Sequence, residues 1–353
     1  DDAGQFLDRR PFITRDELRM ALAKKQPMEP GLQLKYSNHG YGLLGLLIEE
    51  ITGVTYADWI TRHVIKAAGL KETVPDMPQL PKSAPMASGH SMEFPFGQRL
   101  VVPGDNACDA IASAGGFVST AADTARFFAQ LGPEAKQSIL SPASRRDMMQ
   151  RRWRDNINLL ETYYGYGTMV SGPGPKEWAG HTGSLQGFVS RTARFTATGF
   201  TVTALSNAQD GMTWAWVDGI ASILAAFQQH GAPGKREAQW SGRWWSLWGA
   251  VDLVPMGKTV CMVAPAMSPP FDPTTTECTV TGKDVGVIGK TSGYNSPGQG
   301  IRQVRGRTGK PTELWVGGTK LLPKEAMVKE ALGKYRKTGR TGRTGRPGKT
   351  AAR

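Results

Sequence analysis

The chain has 353 residues, of which 39% are hydrophobic and 21% are charged, and this composition is typical of a globular protein. No apolar run approaches the ~18 residues that a membrane-spanning helix needs, so no transmembrane segment is predicted. Because the length exceeds what one hydrophobic core usually serves, we expect two domains.

The net charge of +13 is concentrated at the C-terminus. Residues 329–353 contain nine Lys or Arg and one acidic residue, so they contribute +8 (9 − 1), and the other 328 residues contribute +5. A charge confined to a tail does not indicate a basic binding surface on the folded domains, so no nucleic-acid partner is expected. The tail repeats Thr-Gly-Arg between 338 and 346, and we predict that it is disordered.

The first 160 residues are predicted to be mainly helical. Thr14-Arg-Asp-Glu17 fits a capping box, Asn38 is an expected N-cap, and Gly53 and Gly69 are expected helix ends. Residues 75–107 are rich in Pro, Ser and Gly. They predict a long surface loop that could overhang the candidate site described below. The predicted helices cover residues 14–23, 38–53, 56–68, 120–131 and 141–152.

Strands follow these helices. The expected strands are 163–170, a segment at 178–190 and 199–205, with a helix at 214–228. Helices, then consecutive strands, then a helix predict an α+β domain over residues 1–230, in which helices flank an antiparallel sheet.

A second pattern begins after the predicted linker 231–237. Short strands with turns every eight to twelve residues predict a small antiparallel β-barrel over residues 238–325, followed by the basic tail 326–353. Four tryptophans in its first part are assigned to core and interdomain packing rather than to a ligand pocket. These are Trp240, Trp244, Trp245 and Trp248.

The three cysteines, Cys108, Cys261 and Cys278, do not form a disulfide framework. Cys261 and Cys278 lie on neighbouring predicted strands, and the pattern favours two unrelated buried thiols over a disulfide between them. The His, Cys and Asp residues show no metal-ligand spacing, so no cofactor is implied.

Residues 178–190 contain the first candidate site. His181 and Thr182 offer polar side chains, and Gly180, Gly183 and Gly187 remove side chains where another group must approach the backbone. This combination predicts the wall of a substrate cleft.

A second candidate lies 145 positions upstream (181 − 36), at Tyr36-Ser37-Asn38. It stands at the junction of a loop and a helix, where polar side chains can be held rigidly at a cleft. Taken alone, the triplet favours an ordinary N-cap beside a half-buried tyrosine.

Together these segments resemble the serine β-lactamase and penicillin-recognising hydrolase superfamily. The likeness is greatest to the class C type and its relatives, which include esterases and D-stereospecific peptidases, and it covers residues 29–325. Tyr36-Ser37-Asn38 is similar to the family's Tyr-x-Asn motif, residues 114–120 to its middle loop and helix, and His181-Thr182-Gly183 to its Lys/His-Thr-Gly strand. The predicted barrel is similar to a barrel that is appended in many such proteins. The resemblance leaves the cellular compartment undecided between periplasm, exterior and cytoplasm.

The resemblance implies acyl transfer by a serine that a Ser-x-x-Lys helix supplies. Tyr36 would be the base, and Asn38 would orient the lysine and the substrate. A phenol can act as a base at neutral pH only near positive charge, because its usual pKa is about 10. His181, Thr182 and Gly183 would contact the substrate, and the Ser184 N–H would be one oxyanion donor. Histidine instead of lysine weakens a fixed positive charge for a β-lactam carboxylate and favours esterase or peptidase relatives. The implied partner is a small-molecule or peptide acyl substrate.

The sequence departs from the family in one respect, because it contains no Ser-x-x-Lys. In the family this motif precedes the tyrosine, so we expect it upstream of Asp1, in a longer protein of which this chain is a part. Two alternatives stay open: a family member that lost catalysis and binds a peptide or ligand, or a separate chain that supplies the helix. Loss of the segment would expose apolar surface on the remainder.

Overall fold

The structure is a computed structural model that describes residues 12–25, 28–102, 106–156, 161–174, 176–266, 270–271, 275–293 and 295–335. The chain divides into two compact units, residues 1–221 and 222–353. The domain bounds inferred from sequence, with a linker at 231–237, stay a prediction.

The first part of the chain is helical, as predicted. Its α-helices are α1 (Arg15–Leu22), α2 (Asn38–Thr52), α3 (Tyr56–Ile60, continuing as a π-helix at Thr61–Lys66), α4 (Ala112–Gly115), α5 (Ala121–Gln130) and α6 (Pro142–Met148). A later helix, α7 (Thr213–His230), follows the strands of the first unit. Two short 3-10 helices lie at Met77–Gln79 and Asp109–Ile111.

Side-chain caps determine where several of these helices begin. Thr14 and Glu17 form the predicted capping box of α1, and Gly53 ends α2 in the left-handed conformation at φ 70°. The prediction that Asn38 caps α2 was wrong. Ser37 is the cap, because its backbone is extended and its Oγ accepts the Gly40 N–H at 3.0 Å, and Asn38 is the first helical residue.

The β-structure of the first unit is antiparallel throughout. A small pair joins β1 (Gly89–His90) to β2 (Val101–Val102). A six-stranded sheet has the order β3-β4-β5-β6-β7-β8, so each strand pairs with the next one along the chain. Its strands are β3 (Trp153–Asp155), β4 (Thr162–Tyr164), β5 (Met169–Ser171), β6 (Trp178–Leu185), β7 (Phe188–Phe195) and β8 (Thr201–Ser206).

Two boundaries in this region differ from the prediction. Residues 163–170 form parts of two strands rather than one, because a turn at Gly165–Thr168 interrupts them and is tied to the end of α6. Tyr166 N–H and Thr168 Oγ1 both donate to the Met148 carbonyl, at 3.0 and 2.6 Å. The helix predicted to reach Arg152 ends at Met148, and β3 begins at Trp153.

Helices cover both faces of the six-stranded sheet. Ala193 and Val202 are buried against Val217 and Ala221 of α7. The next residue of β7, Arg194, points to the opposite face, where it pairs with Glu134 beyond the end of α5. This arrangement confirms the predicted α+β class with an antiparallel sheet flanked by helices.

The second unit contains an eight-stranded antiparallel barrel. Its strands are β9 (Gly242–Ser246), β10 (Gly249–Met256), β11 (Thr259–Val263), β12 (Thr276–Val280), β13 (Val285–Lys290), β14 (Gly300–Arg305), β15 (Pro311–Val316) and β16 (Thr319–Leu321). Trp245 and Leu322 exchange two backbone hydrogen bonds, of 2.7 and 2.9 Å, which close the barrel. Helices α8 (Lys235–Ala238) and α9 (Lys324–Lys334) flank it in sequence.

The barrel prediction is confirmed. Seven of its strands correspond to the short strands that the sequence predicts at 240–248, 250–255, 259–264, 277–281, 285–288, 300–305 and 314–317. Strand β16 was missed because three residues are too few to show an alternating pattern. Trp240 and Trp244 are buried in the barrel core, as predicted. The assignment of Trp248 to packing was wrong, since this side chain at the β9–β10 turn is 96% exposed.

Cysteine pairing is decided by strand register. Val260 lies opposite Cys278, and Cys261 lies opposite Glu277, so the two cysteine side chains project from opposite faces of the sheet. All three cysteines are free and buried, which confirms the interpretation as unrelated thiols.

No helix among the described residues is long and apolar enough to cross a membrane. The predicted disordered tail at 338–346 lies outside the described residues.

We expect the three thiols of the folded chain to resist thiol reagents at pH 8. Burial raises the pKa of Cys108 and Cys278 to about 12 and that of Cys261 to about 11, so almost no thiolate is present. Ellman's reagent should therefore react with none of the thiols in buffer. In guanidinium chloride without reductant it should react with all three. Rapid reaction of the native chain would contradict the burial, and fewer than three thiols in denaturant would reveal a disulfide.

Candidate functional site

A tight hairpin turn determines which way the backbone groups of β6 point. Gln186 and Gly187 connect β6 to β7 in two residues, and both have positive φ, 44° and 87°, as a type I′ turn requires. In such a hairpin the flanking pair, Leu185 and Phe188, is hydrogen-bonded. The pairs alternate from there, so the N–H groups of Thr182 and Ser184 point away from β7.

On the other side of β6 the ladder stops early. Strand β5 pairs with it only at Ala179 and Gly180. Among the described residues, the rest of β6 has no strand partner on this side, so the N–H groups of Thr182 and Ser184 face an open edge. Hydrogen-bond donors at an open strand edge can bind an oxygen atom of a ligand.

The three glycines of this segment are approached by protein groups rather than by open space. A Cβ at Gly180 would lie 2.0 Å from the Thr192 carbonyl oxygen, and one at Gly187 would lie 2.6 Å from the His90 nitrogen. A Cβ at Gly183 would meet the Ser190 Oγ at 2.5 Å. The glycines therefore allow β7 and the β1 segment to pack closely against β6, which positions the edge.

Tyr36 is brought to this edge by the packing of α2. Gly42 and Gly45 are buried, and a Cβ at either position would come within 3 Å of Leu18 or Ser113. This close approach fixes the helix and the tyrosine that precedes it. The Tyr36 ring lies 6.4 Å from the His181 ring, centroid to centroid.

Two further tyrosines complete the cluster around His181. Tyr164 lies edge-on to both Tyr36 and His181, with ring centroids 6.0 and 5.7 Å apart, and its hydroxyl is 2.7 Å from His181 Nε2. Tyr41 is hydrogen-bonded to Tyr164 and to the backbone of Gly167. The site is therefore a group of three phenols and one imidazole.

The charges of these groups follow from their surroundings. Burial lowers the pKa of His181, and only a weaker contact with the Thr182 backbone opposes it, so the ring is neutral at pH 7. Burial, and then Tyr41, raise the pKa of Tyr36 above its usual 10, so its phenol is protonated. No cation lowers the pKa of Tyr36 among the described residues.

Gln209 holds the end of the β6–β7 hairpin. Its side chain donates to Ser184 Oγ and accepts the Gly187 N–H at 3.1 Å, and its backbone N–H donates to the His90 carbonyl at 3.0 Å. The predicted surface loop is thus anchored beside Ser184 through its first strand, β1. Residues 103–105 of that loop lie outside the described residues.

The family model named Beta-lactamase matches residues 2–220 of the chain, which is more than half of its length. The chain belongs to the Beta-lactamase family. The match supports the serine acyl-hydrolase family expected from the motifs, and it covers the six-stranded sheet and the tyrosine–histidine cluster.

Individual relatives are similar to the chain at low identity or over a short segment. Protein flp of Staphylococcus aureus (strain MW2) is 36% identical over 58 residues, which are 16% of this chain and 12% of that protein. The octameric penicillin-binding protein homologue of Pyrococcus abyssi has a TM-score of 0.54 at 19% identity, covering 88% of this chain and 70% of that one, and it supports the fold. The D-amino acid amidase of Ochrobactrum anthropi SV3, complexed with D-phenylalanine, is 21% identical with a TM-score of 0.49 over 56% of this chain and 59% of that one.

Within this Beta-lactamase-family fold, the predicted site residues fall into two groups. Tyr36 and His181 are brought together, with Thr182, Gly183 and Ser184 along the open edge next to them. Asn38 lies two residues beyond Tyr36, in the first turn of α2. Among the described residues, no group of three or more His, Cys, Asp or Glu is arranged to hold a metal ion.

Sequence reasoning missed Tyr164, Tyr41 and Gln209. The run Tyr163-Tyr164 precedes the histidine strand and was a visible signal, but two adjacent tyrosines point to opposite faces of a strand, so the sequence does not show which one reaches the site. Gln209 follows the last strand of the sheet, and nothing in its sequence surroundings marks a contact with Ser184.

A comparison of two glycines tests the packing of β6. Replacement of Gly180 by alanine should destabilise the first unit by about 3 kcal/mol, because the new Cβ meets backbone that cannot move away. Gly183→Ala should cost less than about 1 kcal/mol, since the Ser190 hydroxyl can rotate aside. Denaturant unfolding of both variants measures the difference, and equal stabilities would contradict the register of β6 and β7.

Proposed function

We propose that this chain forms the substrate-binding and proton-transfer part of a serine acyl-hydrolase, related to the class C type, that cleaves esters or amides through an acyl-serine. The observation that carries the proposal is the proximity of Tyr36 to His181 and to the open edge of β6, although 145 positions (181 − 36) separate the two residues in sequence. Backbone N–H donors for an oxyanion and a phenol that can take up a proton are the groups that acyl transfer needs beside the nucleophile.

The nucleophile is proposed to come from a Ser-x-x-Lys segment of a longer protein, because the 353 residues contain no such sequence. Exposed apolar surface supports this. Leu43, Leu47 and Ile51 recur at helical spacing along α2, and Ile51 is 81% exposed. This stripe lies on the helix that follows Tyr36, and it offers a packing face to a further helix.

The proposed roles follow from the chemistry of each group. In acylation the serine oxygen bonds to the substrate's acyl carbon while its proton passes to the Tyr36 oxygen, and the leaving group departs with that proton. The Ser184 N–H stabilises the negative oxygen of the tetrahedral intermediate. Tyr36 accepts a proton only as a phenolate, so the lysine of the supplied segment must lower a phenol pKa that burial has raised.

The gene provides the first test. The reading frame upstream of Asp1 is expected to encode Ser-x-x-Lys, and the longer protein is expected to hydrolyse p-nitrophenyl acetate with a serine ester detectable by mass spectrometry. The chain of residues 1–353 should show no such turnover. A stop codon close to Asp1, or equal activity of the short chain, would rule the proposal out.

In the longer protein, Tyr36→Phe should lower the acylation rate by about 10²–10⁴-fold, because the serine proton loses its acceptor. Folding should change little, since the ring and its contact with Tyr164 remain. Burst-phase kinetics measure acylation directly. The matched control is Tyr166→Phe, which alters an exposed tyrosine outside the cluster, and unchanged acylation in Tyr36→Phe would remove the phenol from the mechanism.

A non-catalytic family member that binds a peptide or ligand is the second candidate, and the absence of Ser-x-x-Lys from the sequence favours it. It requires that residues 1–353 fold cooperatively despite the apolar stripe of α2 and bind a ligand saturably without turnover. Calorimetric titration of this chain with acyl-D-amino acid amides would support it by a saturable signal, and an aggregated preparation would oppose it.

A further inference from the structure

Two large apolar side chains lie in solvent at the turn between β9 and β10. Leu247 is exposed, and Trp248 is almost completely exposed. The turn is held in place, because the Trp248 N–H donates to the Ser246 Oγ at 3.2 Å. Neither apolar side chain contributes to the barrel core, so packing within the barrel does not account for them.

Helix α9 carries three more exposed apolar side chains. Val328, Leu332 and Tyr335, the residue after the helix, follow the spacing of one helix face. No residue of α9 is buried. A helix of 11 residues is marginally stable in water without packing, so a partner that covers this face would stabilise α9.

An ion pair determines which way this face points. Glu330 of α9 bonds to Lys320 of β16, with 3.4 Å between Nζ and Oε2. Val328 and Leu332 each lie two residues from Glu330, and residues two apart lie on nearly opposite sides of a helix. Glu330 therefore faces β16, whereas Val328 and Leu332 face away from it.

The two exposed groups belong to the same part of the barrel. Trp245 of β9 and Leu322 exchange the backbone hydrogen bonds that close the barrel. The turn begins two residues after Trp245, and α9 begins two residues after Leu322. The Lys324 ammonium lies 5.9 Å from the centroid of the Trp245 ring. We refer to the five exposed apolar side chains as the closing surface: Leu247, Trp248, Val328, Leu332 and Tyr335.

The closing surface is followed by a strongly basic sequence. Residues 329–353 contain nine Lys or Arg and one acidic residue, Glu330. The Glu330 carboxylate is already paired with Lys320 and Lys334, at 3.4 and 2.7 Å, so it does not compensate the charge of the residues that follow. A negatively charged partner would therefore be attracted to this part of the chain.

We propose that the closing surface binds anionic lipid bilayers. Trp248 and Tyr335 are side chains that favour the boundary between headgroups and acyl chains, and Leu247, Val328 and Leu332 supply apolar area. The basic residues after α9 supply the second attraction, because stable binding at a bilayer surface takes more than one weak anchor. All five side chains lie in the second unit, so lipid binding does not depend on the proposed acyl-hydrolase activity.

Charge and apolar area together favour a bilayer over two other partners. A symmetric pair of chains joined through the closing surface would bring two segments of charge +8 together, and like charges repel. A nucleic-acid duplex would attract the basic residues, but it offers no apolar environment to Leu247, Val328 and Leu332. An anionic bilayer matches both features.

Vesicle flotation with the chain of residues 1–353 tests the proposal. The chain should bind vesicles with ~30% phosphatidylglycerol at least about tenfold more tightly than vesicles of phosphatidylcholine alone, because the basic residues meet a negative surface. Added salt should weaken the binding. Trp248→Ser should weaken it about tenfold, since one large apolar side chain no longer leaves water. Its near-ultraviolet circular dichroism should show an intact fold, because the side chain is exposed.

Phe94→Ser is the matched control, because Phe94 is an exposed aromatic side chain of the first unit. This variant should bind as the native chain does. The double variant Val328→Ser/Leu332→Ser should weaken binding as Trp248→Ser does, which tests α9 separately from the turn. Removal of residues 336–353 deletes seven basic residues and no acidic one, and it should lower the affinity for the anionic vesicles at least about tenfold.

The other outcomes each overturn the proposal. Equal binding by the native chain and Trp248→Ser, or equal losses in Trp248→Ser and Phe94→Ser, would show that the closing surface does not bind lipid. Dimerisation without lipid that Trp248→Ser abolishes, together with no flotation, would identify a second copy as the occupant. Retention on duplex DNA by a chain that does not float with vesicles would assign the basic residues to nucleic acid.

Discussion

The register of the β6–β7 hairpin is the constraint on which the site depends. Side chains alternate along a strand, so a slip of one residue would turn His181 away from Tyr164 and direct the Ser184 N–H into the β7 ladder. The type I′ turn at Gln186–Gly187 prevents that slip, and Gln209 holds the turn from outside. Gly180 then allows β7 to approach within a distance that no side chain would permit.

The sequence predicted well those features that depend on neighbouring residues. The capping box at Thr14, the glycine end of α2 and the seven longer barrel strands each have a local cause, either a hydrogen bond within one turn or an alternating pattern. Strands of three residues, such as β3 and β5, are too short for a pattern and form because they pair with neighbouring strands of the sheet. The exposure of Trp248 was not predicted, since a turn residue and a core residue of the same type look alike in sequence.

The residues of the candidate site likewise fall into those that sequence motifs indicate and those that only the folded structure reveals. The motifs led to Tyr36 and the residues of β6 as candidates, because their order along the chain resembles that of the family's motifs. Tyr164 and Gln209 act through contacts across strands and loops, and their effect depends on distances of about one hydrogen bond that composition and spacing do not contain. The pKa directions of Tyr36 and His181 likewise come from burial in the folded chain.

These pKa directions show how the charge of such a site is balanced. A phenol and an imidazole that are both neutral can stand side by side in a half-buried cleft without the several kcal/mol that an isolated buried ion would cost. The same neutrality leaves Tyr36 without the positive field that the proposed role as a base would require. Burial and the neighbouring phenols raise the pKa values of Tyr36 and Tyr164. Because the two phenols are close together, one added cation would lower both pKa values. Under the proposed mechanism, reactivity would therefore depend on a single added charge, because a lysine close to Tyr36 would lower the pKa of its phenol and make it a proton acceptor.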